Sequence, residues 1–176
     1  DIIEDKNHQL WVSTYDGMDV RDAKTLALKT SFFTEKDSQV KDFRGSILDS
    51  FGGVWAFTGS CGIYVFNSRT NKLLKHIDSK LISNIDQLKL ASCVFDRRGQ
   101  LWIGTDGNGL FCVDTATFKV RNYEASASPS SIGSNNVSCV YADTNDDIWA
   151  CCQNGYLNRL NRQNGTFQRF VPQPDN

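Results

Sequence analysis

The feature that most constrains this chain is a tryptophan that returns at almost constant spacing. Trp11, Trp55, Trp102 and Trp149 are separated by 44, 47 and 47 residues, and the chain has no other tryptophan. An aspartate lies six residues before each tryptophan, and a glycine lies six or seven residues after it. These residues are Asp5, Asp49, Asp96 and Asp143, and Gly17, Gly62, Gly109 and Gly155. Such a period indicates four copies of one structural unit that stack on each other.

Each repeat is predicted to form four short antiparallel strands, and the third repeat shows this most clearly. Its turn Asp96-Arg97-Arg98-Gly99 offers a carboxylate that can cap the turn and a glycine at the position of positive φ, where glycine or asparagine is expected in each repeat. The tryptophan strand follows at Leu101–Thr105, a glycine-bearing loop leads to Leu110–Asp114, and a second turn leads to Phe118–Tyr123. In the fourth repeat, the strand before the aspartate is Val137–Ala142.

The tryptophan strand is apolar on both faces, with Leu101 and Ile103 on one side and Trp102 on the other. A sheet that is apolar on both sides must be covered on both sides, and radial stacking of small sheets achieves this. We therefore predict an all-β fold, a β-propeller of four consecutive four-stranded antiparallel blades. The blades are expected at about 1–36, 37–80, 81–126 and 127–176, as a fragment of a larger, seven-bladed propeller.

The charge balance and the cysteine pattern exclude several classes of function. The net charge is −1, which gives no electrostatic reason to expect contact with nucleic acid, and no apolar run has the length needed for membrane insertion. None of the six cysteines forms a C-x-x-C pair, so neither a metal site nor a cofactor is predicted. Cys93, Cys112, Cys139 and Cys151 lie in strand-like runs, where we expect small buried hydrophobic side chains.

Candidate ligand-binding residues come from topology rather than from a motif. In four-stranded antiparallel blades, the loops between the second and third strands share one face with the connections between blades. Hydrogen-bonding side chains and one aromatic on this face suit a polyol ligand, although the same residues also suit plain turns. The candidates are Tyr15, Asp16, Ser60, Asp106, Asn108, Gln153 and Asn154. The long serine-rich connection Glu124–Asn136 is expected to shape the same rim.

The most regular residues are expected to be structural. The four tryptophans recur in register, which favours a place in the blade core over sugar stacking. The oxygen-rich run Asp143–Asp147 lacks the full pattern of a calcium loop, which favours turn capping. No catalytic residue is predicted, because His8 is expected in a turn and His76 in an outer strand, without a recurrent partner.

The third repeat resembles the two-component-regulator propeller repeat. The segment from Asp96 to Asp114 carries the pattern, with Leu101-Trp102-Ile103-Gly104-Thr105 matching fully, and Ser131–Val137 looks like the family's lead-in to a new blade. The fourth repeat departs from it, because Ile148-Trp149-Ala150-Cys151-Cys152 lacks the Gly-Thr pair. The departures leave the fold prediction intact, but the family has no universal binding residues to transfer.

The resemblance implies a non-catalytic, ligand-sensing segment in the periplasmic region of a hybrid two-component sensor histidine kinase of the Bacteroides type. It implies an oligosaccharide ligand, an inner-membrane anchor, and phosphorelay signalling to a kinase and a DNA-binding regulator outside this chain. Its partners would be the remaining blades of the parent propeller. One alternative is a protein-interaction propeller, and another is a lyase similar to the streptogramin lyases, whose propellers have similar tryptophan-bearing repeats.

A propeller segment whose two terminal blades each have an uncovered face is prone to self-association, because unpaired sheet edges and uncovered faces can pair with another chain. We therefore expect the isolated chain to form a homodimer, or to be only marginally soluble. Size-exclusion chromatography with light scattering would contradict this expectation if it gave a clean monomer that melts cooperatively.

Overall fold

In a computed structural model of the chain, residues 1–33, 42–59, 61–80, 85 and 89–171 are described. They contain four four-stranded antiparallel sheets, in which each strand pairs with the next along the chain. Two compact units divide the chain, at 1–88 and 89–176, and each unit holds two of the sheets. No helix in the described part has the length and apolar character needed to cross a membrane.

The first unit holds two sheets of the same topology. The strands of the first are β1 (Ile2–Glu4), β2 (Gln9–Thr14), β3 (Gly17–Asp22) and β4 (Leu28–Phe32). Those of the second are β5 (Phe43–Leu48), β6 (Gly53–Thr58), β7 (Ile63–Asn67) and β8 (Lys72–Ile77).

The second unit repeats this arrangement. Its first sheet contains β9 (Leu90–Phe95), β10 (Gln100–Thr105), β11 (Leu110–Asp114) and β12 (Val120–Tyr123). Its second sheet contains β13 (Val137–Ala142), β14 (Ile148–Cys152), β15 (Leu157–Asn161) and β16 (Thr166–Phe170). Strand β12 begins two residues later than predicted, because Phe118 has a positive φ of 56° and its amide still belongs to the turn after β11.

The recurrent aspartate does more than cap a turn. In the third repeat, Oδ1 of Asp96 accepts the backbone amides of Arg98 and Gln100 at 2.9 and 2.8 Å, and Oδ2 accepts the indole Nε1–H of Trp102 at 2.8 Å. The same three bonds recur in the other repeats, where the indole donors Trp11, Trp55 and Trp149 each lie 2.9 Å from Asp5, Asp49 and Asp143. One carboxylate therefore fixes both the turn and the orientation of the tryptophan.

Hydrogen bonds at two of these carboxylates also change their pKa. Burial raises the pKa of Asp5, but bonds from Trp11, Gln9 and Asn7 outweigh it, so the pKa of this carboxyl lies below its usual value. The bond from Trp149 lowers the pKa of Asp143. Both shifts stabilise the ionised form that the turn requires.

The turn position with a positive φ accepts more residue types than predicted. The third residue after each aspartate has a positive φ, and glycine occupies it only as Gly52 and Gly99. His8 and Asp146 hold the same conformation in the first and fourth repeats, with φ of 54° and 65°. The expectation of glycine or asparagine there was wrong for these two, because three hydrogen bonds to one carboxylate hold the turn despite an unfavourable residue.

The recurrent glycine at the start of the third strand is required by space as well as by backbone conformation. Gly62 and Gly109 both have a φ of 81°, and a Cβ on either would overlap the carbonyl oxygen of Ile77 or Tyr123 on the neighbouring fourth strand. The absence of a side chain at this glycine therefore allows the end of the fourth strand to pack against the loop.

Each unit has its own core between its two sheets. In the first unit, Trp11 and Val20 of one sheet pack against Val54, Ala56 and Phe66 of the other. In the second unit, the corresponding core contains Trp102, Leu110 and Cys112 from the third sheet. It is completed by Val140, Ile148, Ala150, Cys152, Leu160 and Phe167 from the fourth. The sheets are therefore apolar on facing sides, as the tryptophan strands predict.

Trp149 differs from the other three tryptophans. Trp11, Trp55 and Trp102 are at most 2% exposed, whereas Trp149 is only partly buried. Its face of the fourth sheet has no other sheet of residues 89–171 against it, and Phe170 and Arg159 lie over the indole instead.

The burial predicted for the cysteines was wrong for two of them. Cys112 is buried and Cys93 partly buried, but Cys139 and Cys151 are exposed, because both lie on the open face of the fourth sheet. Alternation along β14 separates Cys151 from Cys152, which is buried.

We predict that Asp96→Ala destabilises the fold more than Asp143→Ala. The Asp96 side chain is fully buried and holds Trp102, two backbone amides and Arg162, so its loss should lower the free energy of unfolding by about 2–4 kcal/mol. Asp143 makes the same turn bonds without a buried cation, so its loss should cost less. Urea unfolding measures both, and equal losses would contradict the prediction.

Candidate functional site

The loops of the second unit converge on the connection between its two sheets. The amides of Gly107 and Gly109 donate to the carbonyl oxygen of Asn135 at 3.1 and 2.9 Å, and the amide of Gln153 donates to that of Asn136 at 3.0 Å. Asp106 forms an isolated bridge with Asn136. The loop between β10 and β11 and the loop between β14 and β15 therefore meet at one connection.

This convergence brings four predicted residues together. Asp106, Asn108, Gln153 and Asn154 lie on the two loops that the connection joins. The Nδ2 of Asn154 donates to the carbonyl oxygen of Gly133 at 2.8 Å, which ties the second loop further to the connection. We call these four residues and the connecting Asn135 and Asn136 the loop-face cluster.

The loop-face cluster presents free polar groups. Among the described residues, the side chains of Asp106, Asn108 and Gln153 make no hydrogen bond within the protein, and Asp106 and Gln153 are exposed. A buried side chain holds the first loop in place, because Thr105 Oγ1 donates to the carbonyl oxygen of Gly109 at 2.7 Å and accepts the amide of Asn108 at 3.2 Å. A carboxylate and two amides are thus positioned for hydrogen bonds to a ligand.

The first unit has an equivalent arrangement around Asp42. Its amide donates to the carbonyl oxygen of Tyr15 at 2.7 Å, and its carbonyl accepts the amide of Gly59 at 2.9 Å. Arg44 donates to the Asp42 carboxylate from Nε at 2.9 Å and Nη2 at 2.7 Å, and this partner raises the pKa of the guanidinium. Tyr15 is 67% exposed beside Asp16.

The structure describes six of the seven predicted residues, and they are divided between the two units. Tyr15 and Asp16 belong to the first unit, and Asp106, Asn108, Gln153 and Asn154 to the second. Ser60 lies outside the described residues.

A cleft that sequence reasoning missed lies at the opposite end of the blades, in the second unit. It comprises two adjacent cavities of about 550 and 240 Å³ that share Arg98, Leu160 and Arg162 as lining residues. Arg159 lines the larger cavity, and Arg121 lines the smaller one. No signal in the sequence indicated it, because its arginines occupy turn and strand positions that vary between repeats.

Arg162 organises the base of this cleft. Its Nη1 donates to Asp96 Oδ2 at 2.8 Å and to Gln100 Oε1 at 3.2 Å, and its Nε donates to the carbonyl oxygen of Asp146 at 2.9 Å. The guanidinium lies 5.4 Å from the Trp102 ring, and its side chain is 13% exposed. It therefore links the turn of the third repeat to the turns of the fourth.

Among residues 1–33, 42–59, 61–80, 85 and 89–171, no group of three or more histidine, cysteine or acidic side chains is arranged to hold a metal ion.

The fold is similar to that of solved bacterial proteins. The extracellular domain of a protein described as a hybrid two-component system of Bacteroides thetaiotaomicron has a TM-score of 0.70 and 20% identity, over 97% of this chain and 24% of that one. Another extracellular domain from this organism, described as a one-component system, has a TM-score of 0.64 and 16% identity, over 98% of this chain and 27% of that one.

An enzyme has the same fold. A catalytically inactive variant of virginiamycin B lyase from Staphylococcus aureus, solved with quinupristin, has a TM-score of 0.68 and 15% identity, over 97% of this chain and 54% of that one. No protein-family model matches the chain, and no curated protein matches it.

These similarities confirm the predicted fold class. The chain is an all-β protein of the β-propeller class, with four consecutive four-stranded antiparallel blades. Its structural neighbours include extracellular domains of two-component system sensors, as the sequence resemblance implied. The chain spans about a quarter of the length of those domains.

We predict that Arg162→Leu lowers the free energy of unfolding by about 2–4 kcal/mol, because it leaves the buried Asp96 carboxylate without its cation. The matched control is Arg159→Leu, which breaks a half-exposed pair with Asp147 and should cost under about 1 kcal/mol. Urea unfolding at neutral pH measures both variants. Similar losses would show that Arg162 is not the cation that holds the two turns together.

Proposed function

We propose that this chain is a non-catalytic, ligand-sensing propeller segment from the periplasmic region of a hybrid two-component sensor histidine kinase. The observation that carries the proposal is the match of nearly the whole chain to extracellular domains of such sensors. Because the chain spans about a quarter of those domains, the remaining blades, the inner-membrane anchor, the kinase and the DNA-binding regulator would lie in other parts of the protein.

The chemistry of the loop-face cluster favours an oligosaccharide as the ligand. Asp106 offers a carboxylate that accepts hydrogen bonds, whereas Asn108 and Gln153 each offer an acceptor and a donor. Sugar hydroxyl groups both donate and accept, so adjacent hydroxyls of one ring can bond to such a set. In the first unit, the exposed ring of Tyr15 beside Asp16 supplies an apolar surface of the kind that sugar rings cover.

Signalling would follow from the way in which the loops are joined. A ligand that bonds to both loops of the loop-face cluster would stabilise one relative position of the third and fourth blades. A ligand shifts a conformational equilibrium only if it binds one state more tightly than the other. The signal would therefore be the shift of the two blades towards the position that the ligand binds more tightly. The change would reach the kinase through a rearrangement between propellers or across a homodimer.

A protein-interaction propeller is the second candidate, and the open face of the fourth sheet favours it. Tyr141, Leu157 and Phe170 are exposed there beside the partly buried Trp149. An apolar face of this kind suits another blade or a partner chain.

The lyase alternative has the fold in its favour but gains no support from the histidines. His8 lies in a turn, where its Nδ1 is 2.9 Å from Glu4 Oε1. His76 stacks on Tyr64 with 4.1 Å between ring centroids, and its Nε2 lies 2.6 Å from the carbonyl oxygen of Cys61. The two rings thus serve different local contacts on different sheets.

We predict that one class of oligosaccharide raises the melting temperature of the chain in a thermal-shift screen of glycans. The double variant Asp106→Ala, Asn108→Ala should bind this glycan about 10- to 100-fold more weakly, because it removes two hydrogen-bonding side chains. Lys119→Ala, in the turn before β12, is the matched control and should bind as the unmodified chain does.

Two results would contradict this proposal. If no glycan shifts the melting of either this chain or the complete ectodomain while a protein partner co-purifies, the interaction propeller is the better description. If a glycan binds but the double variant retains full affinity, the sensor role survives and the loop-face cluster is not its site.

A further inference from the structure

Two of the six cysteines are accessible to solvent. All six lie in the described part of the chain, and only Cys139 and Cys151 are exposed. They belong to neighbouring strands, β13 and β14, and both side chains lie on the open face of the fourth sheet.

The strand register places these two cysteines directly opposite each other. Cys139 is the ladder partner of Cys151, immediately after an irregularity that leaves Ser138 without a partner. Directly opposite residues of antiparallel strands have Cα atoms about 4.5–5.5 Å apart, which lies within the range of about 4.4–6.8 Å found in disulfides.

The two side chains are also close neighbours. Burial raises the pKa of the Cys151 thiol, and the neighbouring Cys139 side chain raises it further. Together with the strand register, this places the two thiols side by side on one face of the sheet.

The three other cysteines that lie in strands lack this geometry. The ladder partners of Cys93, Cys112 and Cys152 are Ile103, Trp102 and Val137, and none of these is a cysteine. Burial raises the pKa of Cys93 to about 11 and that of Cys112 to about 12, so both thiols resist ionisation. Their reactivity should be low, because the thiolate is the reactive form.

The blade scaffold does not require this pair. The corresponding residues of the third repeat are Ser92 and Gly104, which are ladder partners in the same way. A Cβ on Gly104 would lie 2.8 Å from Val140 and 2.9 Å from Val137, because the fourth sheet covers that face. The fourth repeat thus places two thiols where the third repeat has a serine and a glycine.

We propose that Cys139 and Cys151 are a redox modification site that closes to a cross-strand disulfide. The oxidant is a small disulfide such as oxidised glutathione. A thiolate of one cysteine attacks it, which forms a mixed disulfide and releases one glutathione thiolate. The thiolate of the other cysteine attacks the protein sulfur and releases the second glutathione. Two protein thiols are oxidised, one external disulfide is reduced, and the two protons pass to the released thiolates.

The position of the pair connects it to the loop-face cluster. Cys139 follows Asn136 by three residues, and Cys151 precedes Gln153 by two. The amide of Gln153 donates to the carbonyl oxygen of Asn136, so both cysteines flank this hydrogen bond. A disulfide would hold the start of β13 against the end of β14 and stabilise the base of the loop.

Treatment of the reduced 176-residue chain with oxidised glutathione tests the proposal. We expect a product about 2 Da lighter, with alkylation after unfolding blocked only at Cys139 and Cys151. The amide of Gln153 should exchange its hydrogen more slowly in this product, because the loop base opens less often. As a second probe, phenylarsine oxide should bind the reduced chain at one site that both thiols form.

The single variants Cys139→Ser and Cys151→Ser are the specific tests. Each should lose the 2 Da product and the arsenical site, and instead carry one glutathione, about 305 Da heavier. Cys93→Ser is the matched control and should behave as the unmodified chain.

Two outcomes would overturn the proposal. One is a stable glutathione adduct on Cys139 or Cys151 of the unmodified chain that never closes. The other is disulfide formation that includes Cys61 or Cys93 as fast as the predicted pair. Neither readout depends on glycan binding, so the result is independent of the proposed sensor role.

Discussion

Each of the four sheets depends on one aspartate carboxylate that binds both a tryptophan side chain and the backbone of a turn. In each repeat, one oxygen accepts the tryptophan indole and the other accepts two backbone amides of the adjoining turn. An indole N–H buried without an acceptor would cost about 1–3 kcal/mol, which would offset much of the gain from burying the ring. The bond removes that cost, so the tryptophan can lie in the apolar layer between sheets while the turn stays fixed.

The recurrent aspartates and tryptophans fix the sheets but not the loops, so the loops at the two ends of the blades differ in their polar contacts. At one end, the backbone carbonyls of Asn135, Asn136 and Asp42 accept hydrogen bonds from neighbouring loops. The loops that carry the exposed side chains are therefore held in place. At the other end, Arg162 joins the turns of the third and fourth repeats through buried charge. Polar side chains that face solvent at the first end suit recognition. At the other end, Nε and Nη1 of Arg162 already bond to groups of the same chain, which suits stability.

The fold was predictable because its determinants repeat, and the site was less so because its residues do not. The spacing of Asp96, Trp102 and Gly109 predicted the strands and turns around them within one or two residues. It did not reveal the hydrogen bond from the Trp102 indole to the Asp96 carboxylate, because a spacing of six residues does not by itself indicate contact between two side chains. The sequence placed Cys139 and Cys151 in strands, but it could not tell which face they share or whether another sheet covers that face.

The sequence by itself determined the number of repeats, the four-stranded blade, and the separation of its regular residues from its variable loops. These follow from local spacing and from the two-sided apolarity of strands such as Leu101–Thr105, which any copy of the repeat reproduces. Only the tertiary structure decided which loops meet at Asn136, that Arg162 reaches Asp96, and that two thiols face each other on an open surface. Those contacts join residues far apart in the chain, and strand register and sheet stacking set them.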